Sequence, residues 1–285
     1  MVAGGTRGAG RGISIGLGEL GATVYVTGRT TRDQQSPMGR PETIEETAEL
    51  VSEAGGEGIA VRVDHSQPAE VEALAQRLRD ERNGRLDVLV NDVWGGDPLV
   101  DWENPFWESS LDDALGLLRQ AVETHIITSW KLVPLIIKAG SGLVVEVTDG
   151  VGPEYRGRFA YDVAKATVIR LAVAQSGDLR EHDVAAVAVT PGFLRSEAML
   201  DNFSVTEDNW RDAVKLSKHF IASETPRFVG RAVAALAADP KVMNRTGQTL
   251  SSWGLSREYD FTDLDGERPD WGRYAQEQGL GITTE

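Results

Sequence analysis

The 285-residue chain contains no cysteine, which excludes both a disulfide framework and a thiolate metal site and is compatible with a reducing compartment. It has no apolar run near the roughly 18 residues of a membrane span. Its glycine-rich first twenty residues lack the apolar centre of a signal peptide. Basic residues are few: 29 lysines and arginines stand against 44 aspartates and glutamates, for a formal net charge of −15. Without a cationic excess to replace the counterions of a phosphate backbone, nucleic acid is excluded as a partner. No group of histidine, aspartate and glutamate has metal-ligand spacing, so no metal is needed. The expectation is a soluble cytoplasmic protein, its negative charge serving solubility.

What is present is a regular alternation. Short β-branched runs at 22–28, 58–64, 85–91, 142–148 and 183–190 are near-continuously apolar, as strands covered on both faces are. Helical patterns lie between them. Thr43 and Glu46 have the spacing of a capping box and Gly55-Gly56 closes that helix; another follows Pro68; a third runs from about Leu111 to Ile137, with a bend expected near Pro134. The alternation continues to 247–253. It predicts the α/β class: a single-domain Rossmann fold over 1–285, a doubly wound parallel sheet of about seven strands flanked by helices. The first strand is short, since only Met1 to Ala3 precede the glycines while a strand needs roughly five or six residues. A natural start several residues upstream of Met1 is therefore expected. The tail after Arg257 is polar, acidic and aromatic and carries no clear pattern.

Gly4, Gly8 and Gly10 stand where the first strand turns into a helix, the place for a tight turn whose N–H groups approach a pyrophosphate. The next strand ends in Gly28-Arg29 rather than in an acidic residue that would hold a ribose 2′-hydroxyl, and Arg7 lies inside the glycine turn. Two guanidinium groups there suit a 2′-phosphate, so NADP is favoured over NAD; the plain alternative is a pair of solvated surface arginines. Further along, Tyr161 and Lys165 are four residues apart and share one helix face. A phenol can donate to a carbonyl oxygen, and a neighbouring ammonium favours phenolate.

These motifs, in this order, resemble the short-chain dehydrogenase/reductase family over nearly the whole chain, and within it the subgroup called dehydrogenase/reductase member one and its bacterial relatives. The resemblance maps the family's cofactor turn on Ala3-Gly4-Gly5-Thr6-Arg7-Gly8-Ala9-Gly10 and its adenine-binding aspartate on Asp64, with His65 beside it. The segment after the fourth strand is Asn91-Asp92-Val93-Trp94, only partly matched. The nicotinamide segment is Pro191-Gly192-Phe193, followed by Ser196. It also implies that Tyr161 is the proton donor and acceptor, that Lys165 lowers its pKa and holds the nicotinamide ribose, and that the protein forms a homodimer or homotetramer.

Two departures stand out. Where the family has a carbonyl-polarising serine, this chain has Thr148-Asp149; because neighbouring strand residues face opposite ways, one of them reaches the site, and position ranks Asp149 first. The helix stretch 119–126 contains no asparagine to anchor a relay water, leaving Gln120 or His125 as substitutes. The loop 94–107, with three tryptophans and a phenylalanine, either roofs a substrate pocket or packs a loop or subunit contact; 193–205 is the expected lid. The resulting expectation is an NADP(H)-dependent oxidoreductase that interconverts a small-molecule carbonyl and its alcohol. The rival is a sensor or scaffold that binds the dinucleotide without turnover.

Overall fold

The computed structural model describes residues 1–36 and 38–281. Its elements follow in the order β1 (Val2–Ala3), α1 (Gly8–Glu19), β2 (Thr23–Gly28), α2 (Ile44–Glu53), β3 (Glu57–Arg62), α3 (Pro68–Glu81) and β4 (Val88–Asn91). After these come α4 (Leu111–Leu118), α5 (Thr124–Ala139), β5 (Gly142–Val147), α6 (Phe159–Leu179) and β6 (Val184–Thr190). The chain then forms α7 (Glu197–Asn202), α8 (Pro226–Ala238), β7 (Thr249–Ser251), α9 (Ser252–Tyr259) and α10 (Trp271–Glu277); α9 begins inside the 247–253 segment, and α10 lies in the tail after Arg257 that lacked a clear pattern. The strands form one seven-stranded sheet in the order β3-β2-β1-β4-β5-β6-β7, every pairing parallel. The order reverses between β1 and β4, and a crevice opens there beyond the strand ends.

Alternation along the strands divides the core in two. Val145 and Val187 pack with Ile13, Val229 and Leu236 on one face, while Val144 and Ala186 pack with Leu74, Leu132 and Ile136 on the other. With both faces covered, β6 is buried at every residue, which is why it reads as an unbroken apolar run. Two residues suffice for β1 because Met1 extends its pairing: the Met1 amino group donates to Val88 O at 2.8 Å, and Met1 O accepts from Val90 N at 3.0 Å.

Thr43 caps α2 by accepting from Glu46 N at 3.2 Å, but the Glu46 carboxylate turns to Arg11 instead of closing the box. The long helix departs from the expected single rod with a bend at Pro134. Its irregularity is a π-helical segment at Arg119–Glu123, and Pro134 lies inside α5. The wide turn adds a residue to the helix path, and Thr124 and His125 come out buried beyond it.

Helices α1 and α8 cross with backbone against backbone. A Cβ on Gly12 would fall 1.8 Å from Pro226 O, and one on Gly230 would fall 2.1 Å from Gly12 O. Gly177, exposed near the end of α6, has open space instead. Gly12→Ala is expected to lower unfolding free energy by about 1–3 kcal/mol through forced separation of the helices. Gly177→Ala is expected to raise it by about 0.5–1 kcal/mol through helix propensity. Urea denaturation of both variants checks this; equal effects would refute the close-approach account.

Candidate active site

The ends of β1, β4, β5 and β6 face a cavity of about 1010 Å³. It gathers most of the sequence-nominated residues: Gly4, Thr6, Arg7, Gly8, Ala9, Arg29, Asp64, His65, Asp149, Tyr161, Lys165, Pro191, Gly192, Phe193 and Ser196 all border it. Two do not. Gly10 is buried beneath the turn, and Asn91 points its side chain into the protein interior.

The glycine turn has the shape of an anion cradle. A Cβ on Gly4 would fall 2.4 Å from Asp92 O, one on Gly10 2.3 Å from Gly4 O, and Gly8 adopts φ +56° at the entrance to α1. Gly8 N donates to Glu197 Oε2 at 2.8 Å, and Arg11 Nε lies 3.5 Å from Glu197 Oε1. A carboxylate from α7 thus occupies the head of α1, where the helix dipole and free N–H groups favour negative charge. The site therefore fits a dinucleotide pyrophosphate, which would displace Glu197. Arg7 and Arg29 both line the cavity, and among the described residues neither guanidinium forms an ion pair or hydrogen bond. Burial pulls the Arg7 guanidinium below its ordinary value, with Glu42 and Asp97 opposing.

His65 borders the cavity but spends both nitrogens on the interior, Nε2 against Thr27 Oγ1 at 2.8 Å and Nδ1 against Thr128 Oγ1 at 2.7 Å. Burial, with His125 adding, brings its pKa down to about 3, so the ring is neutral. Each of these hydroxyls also donates to a backbone carbonyl, Thr27 to Val2 O at 3.0 Å and Thr128 to Thr124 O at 2.6 Å. The imidazole is a structural link between β2 and α5 rather than a hydrogen-bonding partner for the cofactor.

Asn91 belongs to a second interior network. The carboxylate of Glu146, near the end of β5 and 0% exposed, accepts from Asn91 Nδ2 at 2.9 Å and Gln175 Nε2 at 2.8 Å, and His125 Nδ1 lies 2.6 Å from it. A buried carboxylate needs such partners, and the network joins β4, β5, α5 and α6 behind the cavity. His125 is thus committed to Glu146 and, through Nε2, to Val93 O at 3.1 Å. Gln120 lines the cavity: a Cβ on Gly95 would fall 3.4 Å from both Gln120 Oε1 and Arg29 Nη2.

At the reacting end, Thr148 turns inward and donates to Lys165 O at 2.9 Å. Asp149 faces the cavity, and its Oδ2 accepts from the Tyr161 hydroxyl at 2.8 Å. Burial first, then the charge and hydrogen bond of Asp149, push the Tyr161 phenol well above its ordinary value of 10.0. That is opposite to the lowering by Lys165 expected from the motif. Lys165 Nζ instead lies 4.2 Å from the Trp94 ring centroid and 5.7 Å from that of Tyr161. Burial lowers the Lys165 pKa, with Asp149, Asp92 and Asp97 opposing.

Trp94 meets Tyr161 edge-on at 5.5 Å and Trp102 lies tilted at 5.4 Å, so two of the three loop tryptophans wall the reacting end. Trp94 Nε1 donates to Asp97 Oδ1 at 2.6 Å. Asp97 also borders the cavity and was passed over by sequence reasoning, and Asp92 entered that reasoning only as part of the segment 91–94, with no role of its own. The available signal was two carboxylates within seven residues after a strand that ends at the crevice. Burial pushes the Asp92 carboxyl up to about 7, with Lys165 opposing.

The chain matches the family model described as short chain dehydrogenase over residues 1–207. It belongs to the short-chain dehydrogenase/reductase family. Dehydrogenase/reductase SDR family member 1 of Mus musculus is 35% identical over 93% of this chain and 83% of its own length. The Homo sapiens protein of the same name is 32% identical over the same shares. The fold superposes on a short chain dehydrogenase of Mycobacterium thermoresistibile with TM-score 0.76 at 20% identity, covering 92% of this chain and 87% of that one. Membership makes the protein an oxidoreductase that uses a nicotinamide dinucleotide. No helix of the described residues is long and apolar enough to cross a membrane.

Behind the Pro191-Gly192 turn, fully buried Glu224 accepts from Gly192 N at 2.8 Å and from Ser252 Oγ at 2.6 Å. Burial pushes its carboxyl up to about 8 against these hydrogen bonds. Between its unfolded value of 4.5 and about 8, the folded chain holds a proton that the unfolded chain releases. This contribution to stability is full below pH 4.5 and is lost as pH rises to about 8. Glu224→Gln should remove a slope of about 1.4 kcal/mol per pH unit across that window, read from urea melts at several pH values. Parallel wild-type and variant profiles would contradict this.

Proposed function

We propose that the chain is an NADP(H)-dependent oxidoreductase that interconverts a carbonyl and an alcohol, its reacting group seated against the Tyr161 hydroxyl. The dinucleotide supplies or accepts the hydride when bound. Gly4 to Gly10 would hold its pyrophosphate, Arg7 and Arg29 its 2′-phosphate, Asp64 its adenine end, and Pro191 to Phe193 with Ser196 its nicotinamide. Lys165 would hold the adjoining ribose. Tyr161 exchanges the proton at the substrate oxygen, and Asp149 orients that hydroxyl. The observation carrying this reading is the convergence of Tyr161, Asp149 and Lys165 on the cavity that the glycine turn and two unpaired arginines also line.

A second reading, a dinucleotide-binding sensor or scaffold with impaired turnover, is favoured by the Asp149 carboxylate where a hydroxyl is expected. NADPH consumption across a carbonyl panel separates the two. A homodimer or homotetramer paired through α4 and α5 is part of the proposal. Leu111, Leu115, Ile126 and Trp130 leave these helices with exposed apolar side chains, Trp130 at 76%.

Tyr161→Phe is expected to lower kcat by about 100-fold or more while NADPH affinity holds, as loss of general acid catalysis requires. Arg29→Ala and Arg7→Ala are each expected to weaken NADPH binding by about 10- to 100-fold with little effect on NADH, since each removes a charge-assisted contact to phosphate. Calorimetric titration of both cofactors checks the arginines. Equal losses for NADPH and NADH would refute the 2′-phosphate assignment.

A further inference from the structure

Asp149 holds the Tyr161 hydroxyl through Oδ2 at 2.8 Å, and among the described residues no donor meets its Oδ1. Two nearby cations, Lys165 and Arg156, place no nitrogen on its carboxylate oxygens, although Lys165 feels its charge. Lys165 Nζ sits over the Trp94 ring, and Arg156 donates to the carbonyls of Asp149, Glu154 and Gly152 and lies 3.4 Å from Asp162 Oδ1. The Asp149 carboxylate therefore forms no ion pair within the described residues, although it stands in the cavity at the reacting position. Asp97, held by Trp94, and the rings of Trp94 and Trp102 add further negative charge and π faces around Tyr161.

Such surroundings discriminate by charge. Hydride addition to a neutral carbonyl builds negative charge on oxygen, which an adjacent carboxylate opposes. A protonated imine has the reverse profile: it arrives as a cation with an N–H to donate and leaves uncharged. Resting on the hydride-transfer reading above, the geometry points to a further activity of this cavity, the reduction of a protonated imine whose N–H is held by Asp149.

A reduced nicotinamide dinucleotide is the reductant. A C–H bond forms at the imine carbon, the C=N π bond breaks, and its electron pair settles on nitrogen, so the cation becomes a neutral amine and the nicotinamide is oxidised. No proton need arrive with the hydride. The amine takes one afterwards from water, and Tyr161 with its unperturbed hydrogen bond to Asp149 fixes the carboxylate in place. Asp149 is thereby a specificity-determining residue that touches the substrate.

The test pairs the cyclic imines 2-methyl-1-pyrroline and 3,4-dihydroisoquinoline with 2-methylcyclopentanone and 1-tetralone, following NADPH oxidation by wild type, Asp149→Asn and Asp149→Ser. A parallel calorimetric titration measures 1,2,3,4-tetrahydroisoquinoline, a cation at neutral pH, binding to the NADP-loaded proteins, with NADPH affinity reporting an intact fold in each variant. The expected result is an imine preference of at least tenfold in kcat/KM for wild type, a fall of at least tenfold in that preference in both variants, and weaker amine binding in both. A wild-type preference for the ketones, or an imine preference and amine affinity unmoved by either substitution, would overturn the inference and leave the hydride-transfer reading standing. No NADPH oxidation with any of the four compounds would remove both.

Discussion

Everything at the site depends on the strands running the same way. Because all seven are parallel, the chain leaves β1, β4, β5 and β6 at one edge of the sheet, and the reversal of order between β1 and β4 keeps their loops from closing over one another. Residues as distant in sequence as Gly4, Asp92, Asp149 and Gly192 thus border one cavity. The cost of that arrangement is a set of polar groups in the interior. It is met by the Glu146 network on one side of the cavity and by the Glu224 carboxyl beneath the Pro191-Gly192 turn on the other.

Within the cavity, charge rather than shape distinguishes this chain from the motif it carries. A tyrosine and a lysine one helical turn apart suggest a phenol made more acidic by an ammonium. Here the carboxylate is nearer the hydroxyl than the ammonium is, and the ammonium lies on an indole face. Burial first, and then that carboxylate, hold the phenol protonated, and the substrate meets an anion beside it. The same residues that place the protein in its family therefore do not by themselves fix which electrophile the site prefers.

Much of this was legible in the sequence. The sheet was readable because strands covered on both faces leave β-branched runs, and the glycine turn because only glycine tolerates the backbone approaches at positions 4 and 10. Strand alternation allowed only one of Thr148 and Asp149 to reach the site, position ranked Asp149 first, and Thr148 spends its hydroxyl on Lys165 O. The π-helical segment was not legible: no residue type marks a π turn, whereas Pro134 drew attention to a bend elsewhere. Nor was the Glu146–His125 pairing, because its two members come from a strand and a helix whose register depends on that π turn. Asn91 and His65 were read by motif as cofactor residues, yet their side chains satisfy interior partners instead.

The most direct test is an ultraviolet titration of the Tyr161 phenol, taken as the difference between wild type and Tyr161→Phe and repeated in Asp149→Ser. The expected result is a wild-type midpoint above the ordinary phenol value of about 10, falling toward or below it once the carboxylate is removed. A wild-type midpoint below that value, unchanged by Asp149→Ser, would mean that the ammonium governs the phenol after all and would contradict the central claim.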